Sequence, residues 1–165
     1  MIYFEYMNAK MFPSLSAALF GILATNMSTI APTGNTYEAD FSSWHTAVSN
    51  GLTNENRRII LIRNDDERIG FFQYFTNKNK LFMTEEIQLI TAWQGSGHVF
   101  RRLYEFIVPY LPGIKTVAAY ANHRNKKSQR ILEKLGLRVI GESKSGNSYH
   151  YRSQFSAFLD WLHCK

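Results

Sequence analysis

Three dense apolar runs follow one another between Arg57 and Ile90 with only short polar breaks between them, and the third leads into a glycine-bearing turn that opens a helix. "RRIILIR" (Arg57 to Arg63) and "RIGFFQYF" (Arg68 to Phe75) have the length and the β-branched and aromatic content of strands. Asn64, Asp65 and Asp66 supply the turn between them, so the pair predicts a hairpin. Asn77 to Lys80 is a second turn, and Leu81 to Ile90 a third strand that extends the meander. A chain with this centre is organised around a sheet.

The flanking segments add helices and further strands. Ile2 to Tyr6 reads as a strand. Pro13 followed by Leu15, Ala18, Leu19, Ile22 and Leu23 has helical spacing, with proline tolerated in the first turn. Thr25 to Tyr37, rich in Pro, Gly and Asn, reads as a loop, and Asp40 to Val48 as a weaker second helix. From Gly97 to Val108, residues Val99, Phe100, Leu103, Phe106 and Ile107 recur at helical spacing until Pro109, Pro112 and Gly113 stop the pattern. Ile114 to Tyr120 reads as a buried strand. Asn125 to Leu135 is a helix, with Ser128, Ile131, Leu132 and Leu135 on one face and Gly136 where a helix reverses. Leu137 to Gly141 and Ser148 to Arg152 are the last strands. The tail "FSAFLDWL" is a short amphipathic helix expected to cover the sheet edge, with Phe155, Phe158, Leu159 and Leu162 inward. The fold class is therefore mixed α/β, in the order β-α-α-β-β-β-α-β-α-β-β.

At 165 residues the chain is the size of one domain, and 45% hydrophobic residues with 12 Phe, 9 Tyr and 3 Trp exclude intrinsic disorder. The lone cysteine, Cys164, excludes an internal disulfide and any cysteine-based metal cluster; no metal is expected, and a reducing, cytoplasmic setting fits. The formal charge of +6 favours polyanionic partners: nucleic acid, phosphorylated coenzymes or acidic lipid. No membrane partner is expected, because the longest apolar run, Leu15 to Ala24, falls short of the roughly 20 residues a spanning helix needs. That run is also a poor secretion signal: Glu5 balances Lys10 ahead of it, and no small-residue cleavage pattern follows closely.

The stretch "EEIQLITAWQGSGHVFRRL" carries the chemistry. Gly95 and Gly97 let backbone N–H groups approach a pyrophosphate, and the positive end of the following helix adds attraction; the alternative is a turn that needs glycine only for its backbone angles. "QGSGHV" after a strand resembles the Q/R-x-x-G-x-G/A loop of the GNAT superfamily of N-acetyltransferases. Thirty-one residues beyond Gln94, "NKKSQRILEKLGL" resembles that family's N-x-x-(A/S)-x-x-x-Y-E-K-L-G-F segment. The element order is similar too, so the resemblance takes residues 1–165 as one GNAT-like domain, with only Thr25 to Thr53 lacking support. Two positions depart from the pattern. Val99 stands where the loop usually has Gly or Ala, and its branched side chain either crowds the coenzyme or turns toward the core with Phe100 and Leu103. Leu132 stands where many members carry a tyrosine that protonates the leaving thiolate.

The resemblance implies an N-acetyltransferase that moves acetyl from acetyl-CoA to a primary amine by direct attack on the thioester. It implies that the backbone of Ile87, Gln88 and Leu89 binds the pantetheine arm and thioester oxygen. It also implies that Gln94, Gly95, Ser96, Gly97, His98, Val99 and Phe100 wrap the pyrophosphate, with His98 either a further donor or a solvated first-turn residue. Asn125 and Ser128 match positions that hydrogen-bond the coenzyme, and both also suit a helix start. An amine protonated at neutral pH needs a base. Strand alternation puts Glu86 with Thr84, Gln88 and Ile90 on the more polar face, so Glu86 is the first candidate and Glu85 the substitute; both also read as ordinary surface carboxylates. Lys126, Lys127 and Arg130 offer charge to the 3'-phosphate or form a solvated face. Tyr37, Phe41, Trp44 and Tyr74 line an acceptor or belong to the core.

Two other readings stand beside this one. The chain is a coenzyme A-binding sensor or interaction protein without useful turnover, for which Val99 and Leu132 speak. Or it is a basic nucleic-acid-binding module, for which the charge, "NHRNKKSQR" and the aromatics speak, though 15 of the 19 basic residues lie outside that segment. The acceptor is open, a small-molecule or peptide amine, and so is oligomeric state, a homodimer included.

Overall fold

The computed structural model describes residues 1–54, 56–95 and 98–164, the side chains of Asn54 and His98 excepted. Its seven strands form a mixed sheet in the order β1-β2-β3-β4-β5-β7-β6, and the order of elements along the chain is the one the sequence predicts. The chain groups into two compact units. One holds the first 75 residues with the second half of β4 and the turn after it, and the other holds the first half of β4 and everything from α3 onward.

In the first unit β1 (Ile2–Tyr6) pairs antiparallel with β2 (Arg57–Asn64), which pairs antiparallel with β3 (Glu67–Thr76). Asp65 turns the hairpin at φ 51°, a left-handed conformation that Asp adopts more readily than most residues. Helices α1 (Phe12–Met27) and α2 (Tyr37–Asn54) bring Phe12, Leu19 and Val48 onto Ile59, Leu61 and Phe71. Each such side chain, wholly removed from water, contributes about 1.5–3 kcal/mol. Phe20 lies 5.4 Å from both Phe41 and Trp44, ring centre to ring centre, so these aromatics belong to the core, whereas Tyr37 is mostly exposed.

Both helices run longer than their periodicity predicts. α1 continues through Thr25 and Asn26, and α2 begins at Tyr37 rather than Asp40 and ends at Asn54 rather than Val48, which shortens the expected loop from both sides. The start of α2 has a physical cause: Thr36 Oγ1 accepts from Ala39 N–H at 3.2 Å, and Glu38 and Asp40 sit against the positive end of the helix.

In the second unit the first residues of β4 (Leu81–Leu89) form a parallel ladder with β5 (Thr116–Asn122), from Leu81↔Thr116 to Thr84↔Ala119. β7 (Ser148–Gln154) pairs antiparallel with β5 along its whole length and with β6 (Arg138–Glu142). β5 lies two residues downstream of its predicted span, because Ile114 N–H is tied back to the Leu111 carbonyl in the turn that Gly113 makes at φ 75°. Helices α3 (His98–Ile107), α4 (Lys126–Lys134) and α5 (Phe155–His163) complete the unit.

The tail helix does not cover the sheet edge. α5 packs on β5, β7 and α3, where Phe155, Phe158 and Leu162 are buried, while the edge strand β6 is exposed at every residue, Val139 and Ile140 included. Tyr104 of α3 meets Phe158 edge-on at 5.0 Å, and its burial raises the phenol's pKa well above the ordinary value. Arg101 Nη1 donates to the carbonyls of Leu162 at 2.8 Å and Cys164 at 2.7 Å while its guanidinium lies over Trp161. Among the described residues no helix is long and apolar enough to cross a membrane.

Candidate functional site

The predicted base and the predicted backbone contacts lie on the second half of β4, where Gln88 and Leu89 are buried and Glu86 and Ile87 half-buried. β3 approaches this segment closely. A β-carbon on Gly70 would stand 2.2 Å from the Gln88 carbonyl oxygen and 2.7 Å from Leu89 Cδ2, so only glycine fits there, and Ile90 N–H bonds to the Ile69 carbonyl at 2.9 Å just beyond.

A set of side-chain amides surrounds the same segment. Gln88 Nε2 donates to Glu86 Oε2 at 2.8 Å. Asn26 Nδ2, on the last turn of α1, donates to Gln88 Oε1 and to the Leu89 carbonyl, both at 2.9 Å. Gln94 Nε2 donates to Asn26 Oδ1 at 2.9 Å and to the Leu89 carbonyl at 3.0 Å. The Leu89 carbonyl at one end only accepts, and the Glu86 oxygen at the other accepts from Gln88, which fixes the direction of every amide between them. Gln88 is only 8% exposed, so each of its polar atoms would cost about 1–3 kcal/mol if left unmatched.

Both lone pairs of the Leu89 carbonyl are engaged by Asn26 and Gln94. Glu85, also half-buried, precedes Glu86 on β4 and points by alternation to the opposite face.

After β4 a short 3-10 turn, Thr91–Trp93, leads into extended Gln94 and then Gly95 at φ 83°, a conformation that glycine adopts without strain. Among the described residues nothing lies within 4 Å of a β-carbon built on Gly95. Ser96 and Gly97 lie outside the described residues. α3 begins at His98, and Val99 is wholly buried together with Leu103 and Ile107, while Phe100 is half-buried. The branched side chain at 99 is thus directed into packing.

On α4, Asn125 is the N-cap: its Oδ1 accepts from Ser128 N–H at 3.1 Å, so the helix-start reading of Asn125 holds, and Ser128 engages through its backbone. Gln129, which sequence reasoning passed over, is buried and donates from Nε2 to the carbonyls of Asn122 at 2.9 Å and His123 at 3.0 Å, pinning α4 to the end of β5. Lys126, Lys127 and Arg130 are exposed, and Leu132, in the place of the family's tyrosine, is buried. Among the described residues no cluster of His, Cys, Asp or Glu has metal-holding geometry.

Solved structures share this architecture. The chain is similar to PaiA N-acetyltransferase from Thermoplasma acidophilum in complex with coenzyme A, with a TM-score of 0.73 over 93% of this chain and 99% of that one at 13% identity. It is similar to a GNAT-family acetyltransferase from Staphylococcus aureus, with a TM-score of 0.72, the same coverage and 11% identity. It is also similar to an aminoglycoside acetyltransferase in complex with coenzyme A, with a TM-score of 0.68 over 96% of this chain and 98% of that one at 14% identity. No family model and no curated protein matches the sequence. The fold is that of the GNAT acetyltransferases.

Proposed function

We propose that the chain is an acetyl-CoA-dependent N-acetyltransferase acting on a primary amine, with residues 1–165 as one catalytic domain. The observation that carries this reading is the turn after β4, where Gly95 stands at φ 83° with no atom of the described residues within 4 Å of a β-carbon built on it, in a fold whose solved counterparts include structures with coenzyme A bound. In this reading the main-chain N–H groups of Gln94 to Phe100, through Gly95, Ser96, Gly97, His98 and Val99, bind the pyrophosphate. The backbone of Ile87 and Gln88 and the Leu89 N–H bind the pantetheine arm, and Asn125 and Ser128 are further candidates for hydrogen bonds to the coenzyme.

Glu86 is the base. An alkyl ammonium loses one proton to the carboxylate, and the neutral amine then attacks the thioester carbonyl; a C–N bond forms, the nitrogen gives its second proton to water, the C–S bond breaks and coenzyme A leaves as thiolate. Glu85 stands in if Glu86 is not used. Leu132 supplies no proton to the thiolate, but with a thiol pKa near 8.5 its release at pH 7 is uphill by only about 2 kcal/mol, a cost in rate. A lone cysteine suits the reducing cytoplasm in which acetyl-CoA is plentiful.

A second reading, a coenzyme-binding protein without turnover, is favoured by Leu132 alone. Calorimetric titration with acetyl-CoA, followed by an amine screen read by thiol release, separates the two. Saturable binding with turnover supports the enzyme. Binding without turnover on any amine supports the second reading, and no binding overturns both. Weaker binding of coenzyme lacking the 3'-phosphate assigns that group to Lys126, Lys127 and Arg130.

A further inference from the structure

We propose that Asn26 is a positioning residue for Glu86: an amide relay Gln94–Asn26–Gln88–Glu86 joins the head of the glycine turn to the carboxylate and holds it in place. The inference deepens the function proposed above and rests on Glu86 acting as the base.

The relay brings together a helix, a strand and a turn. Asn26 lies 62 residues from Gln88 and 68 from Gln94, yet both of its polar atoms are committed to them, its Nδ2 to Gln88 Oε1 and its Oδ1 to Gln94 Nε2. A glutamate on a half-exposed strand samples several rotamers; one whose oxygen accepts from a buried amide, itself held on its other atom, loses most of that freedom. Every N–H of the Asn26 and Gln94 amides is used, since each donates once within the relay and once to the Leu89 carbonyl. The relay thus transmits orientation. Gln94, at the start of the turn proposed to hold the pyrophosphate, sets Asn26; Asn26 sets Gln88; and Gln88 sets the carboxylate.

A double-mutant cycle tests this. Asn26→Ala is expected to lower kcat about tenfold while KM for acetyl-CoA stays within about twofold, and in the Glu86→Gln background the same change is expected to cost nothing further. Gln88→Met, which cuts the relay on the other side of Asn26, must reproduce that pattern, so a poorly folded Asn26→Ala does not decide the matter. Losses of equal size in both backgrounds, or an effect on KM alone, overturn the proposal.

An activity-free measurement separates its failure from that of the enzyme reading. In a side-chain amide NMR spectrum, Glu86→Gln is expected to shift the signals of both Gln88 and Gln94, and the Gln94 response is expected to vanish in Asn26→Ala. A Gln94 signal that ignores Glu86→Gln, or that still responds without Asn26, overturns the relay. Failure to bind acetyl-CoA in the calorimeter overturns the enzyme reading instead.

Discussion

Gly70 and the carbonyl of Gln88 stand so close that a single added methyl group would lie 2.2 Å from the oxygen. The obstacle is backbone, which cannot swing aside as a side-chain tip can. Gly70→Ala is therefore expected to destabilise the protein by about 1–3 kcal/mol, read from urea unfolding. The strain falls on the peptide between two relay contacts, so kcat is expected to fall as well, measured at a temperature where the variant is fully folded.

Arg101 fastens α5 through two carbonyls and a ring. Hydrogen bonds from a charged donor are worth about 1.5–3 kcal/mol, so Arg101→Met is expected to cost about 2–3 kcal/mol and to speed amide exchange across Phe155–His163. Arg101→Lys is expected to restore less than half, because an ammonium lacks the planar, weakly hydrated group that lies over Trp161.

His150 stacks on Tyr120, its cross-strand partner, at 4.6 Å. Burial first, and then the charge of Arg152, lower the imidazole's pKa below its ordinary value of 6.5. A depressed folded-state value means that folding favours the neutral ring. The stability this contributes is full above the unfolded value and is lost as pH falls through the folded one. His150→Phe keeps the stack and removes the titration, so its urea midpoint is expected to fall less than wild type between about pH 7.5 and about pH 5.

Glu86→Gln leaves the Gln88 contact possible but removes the proton acceptor. It is expected to lower kcat/KM by about 10²–10⁴-fold, most at low pH, with acetyl-CoA affinity by calorimetry nearly unchanged. If Glu86→Gln matches wild type across the pH range, Glu85→Gln is the variant that must show the loss.

The strands were legible because Arg57 to Ile90 combines dense apolar runs with turn residues, and the observed hairpin closes on Asp65 as those residues require. α2 was only partly legible. Phe41, Trp44 and Val48 mark its buried stripe, but polar residues fill its ends, and the Thr36 cap with its acidic first turn was the sign of the true start. The partnership of Glu86 with Gln88 follows from alternation on one strand. Asn26 was not legible: it lies in a stretch that composition assigns to a loop, and its partners are more than sixty residues away. The placement of α5 over β5 and β7 was missed for a related reason, since amphipathicity says which face is buried but not against what.

The fixed direction of the amides has an evolutionary consequence. Aspartate at 26 would turn an acceptor toward Gln88 Oε1 and the Leu89 carbonyl, and glutamate at 88 would face Glu86 with like charge. Neither exchange is tolerable, and because the Leu89 carbonyl only accepts, no simultaneous reversal of donors and acceptors at 26, 88 and 94 preserves the pattern either. Natural variants of this chain should therefore keep an amide at each of these three positions, and a chimera whose α1 comes from a homologue without one at 26 should inherit a broken set.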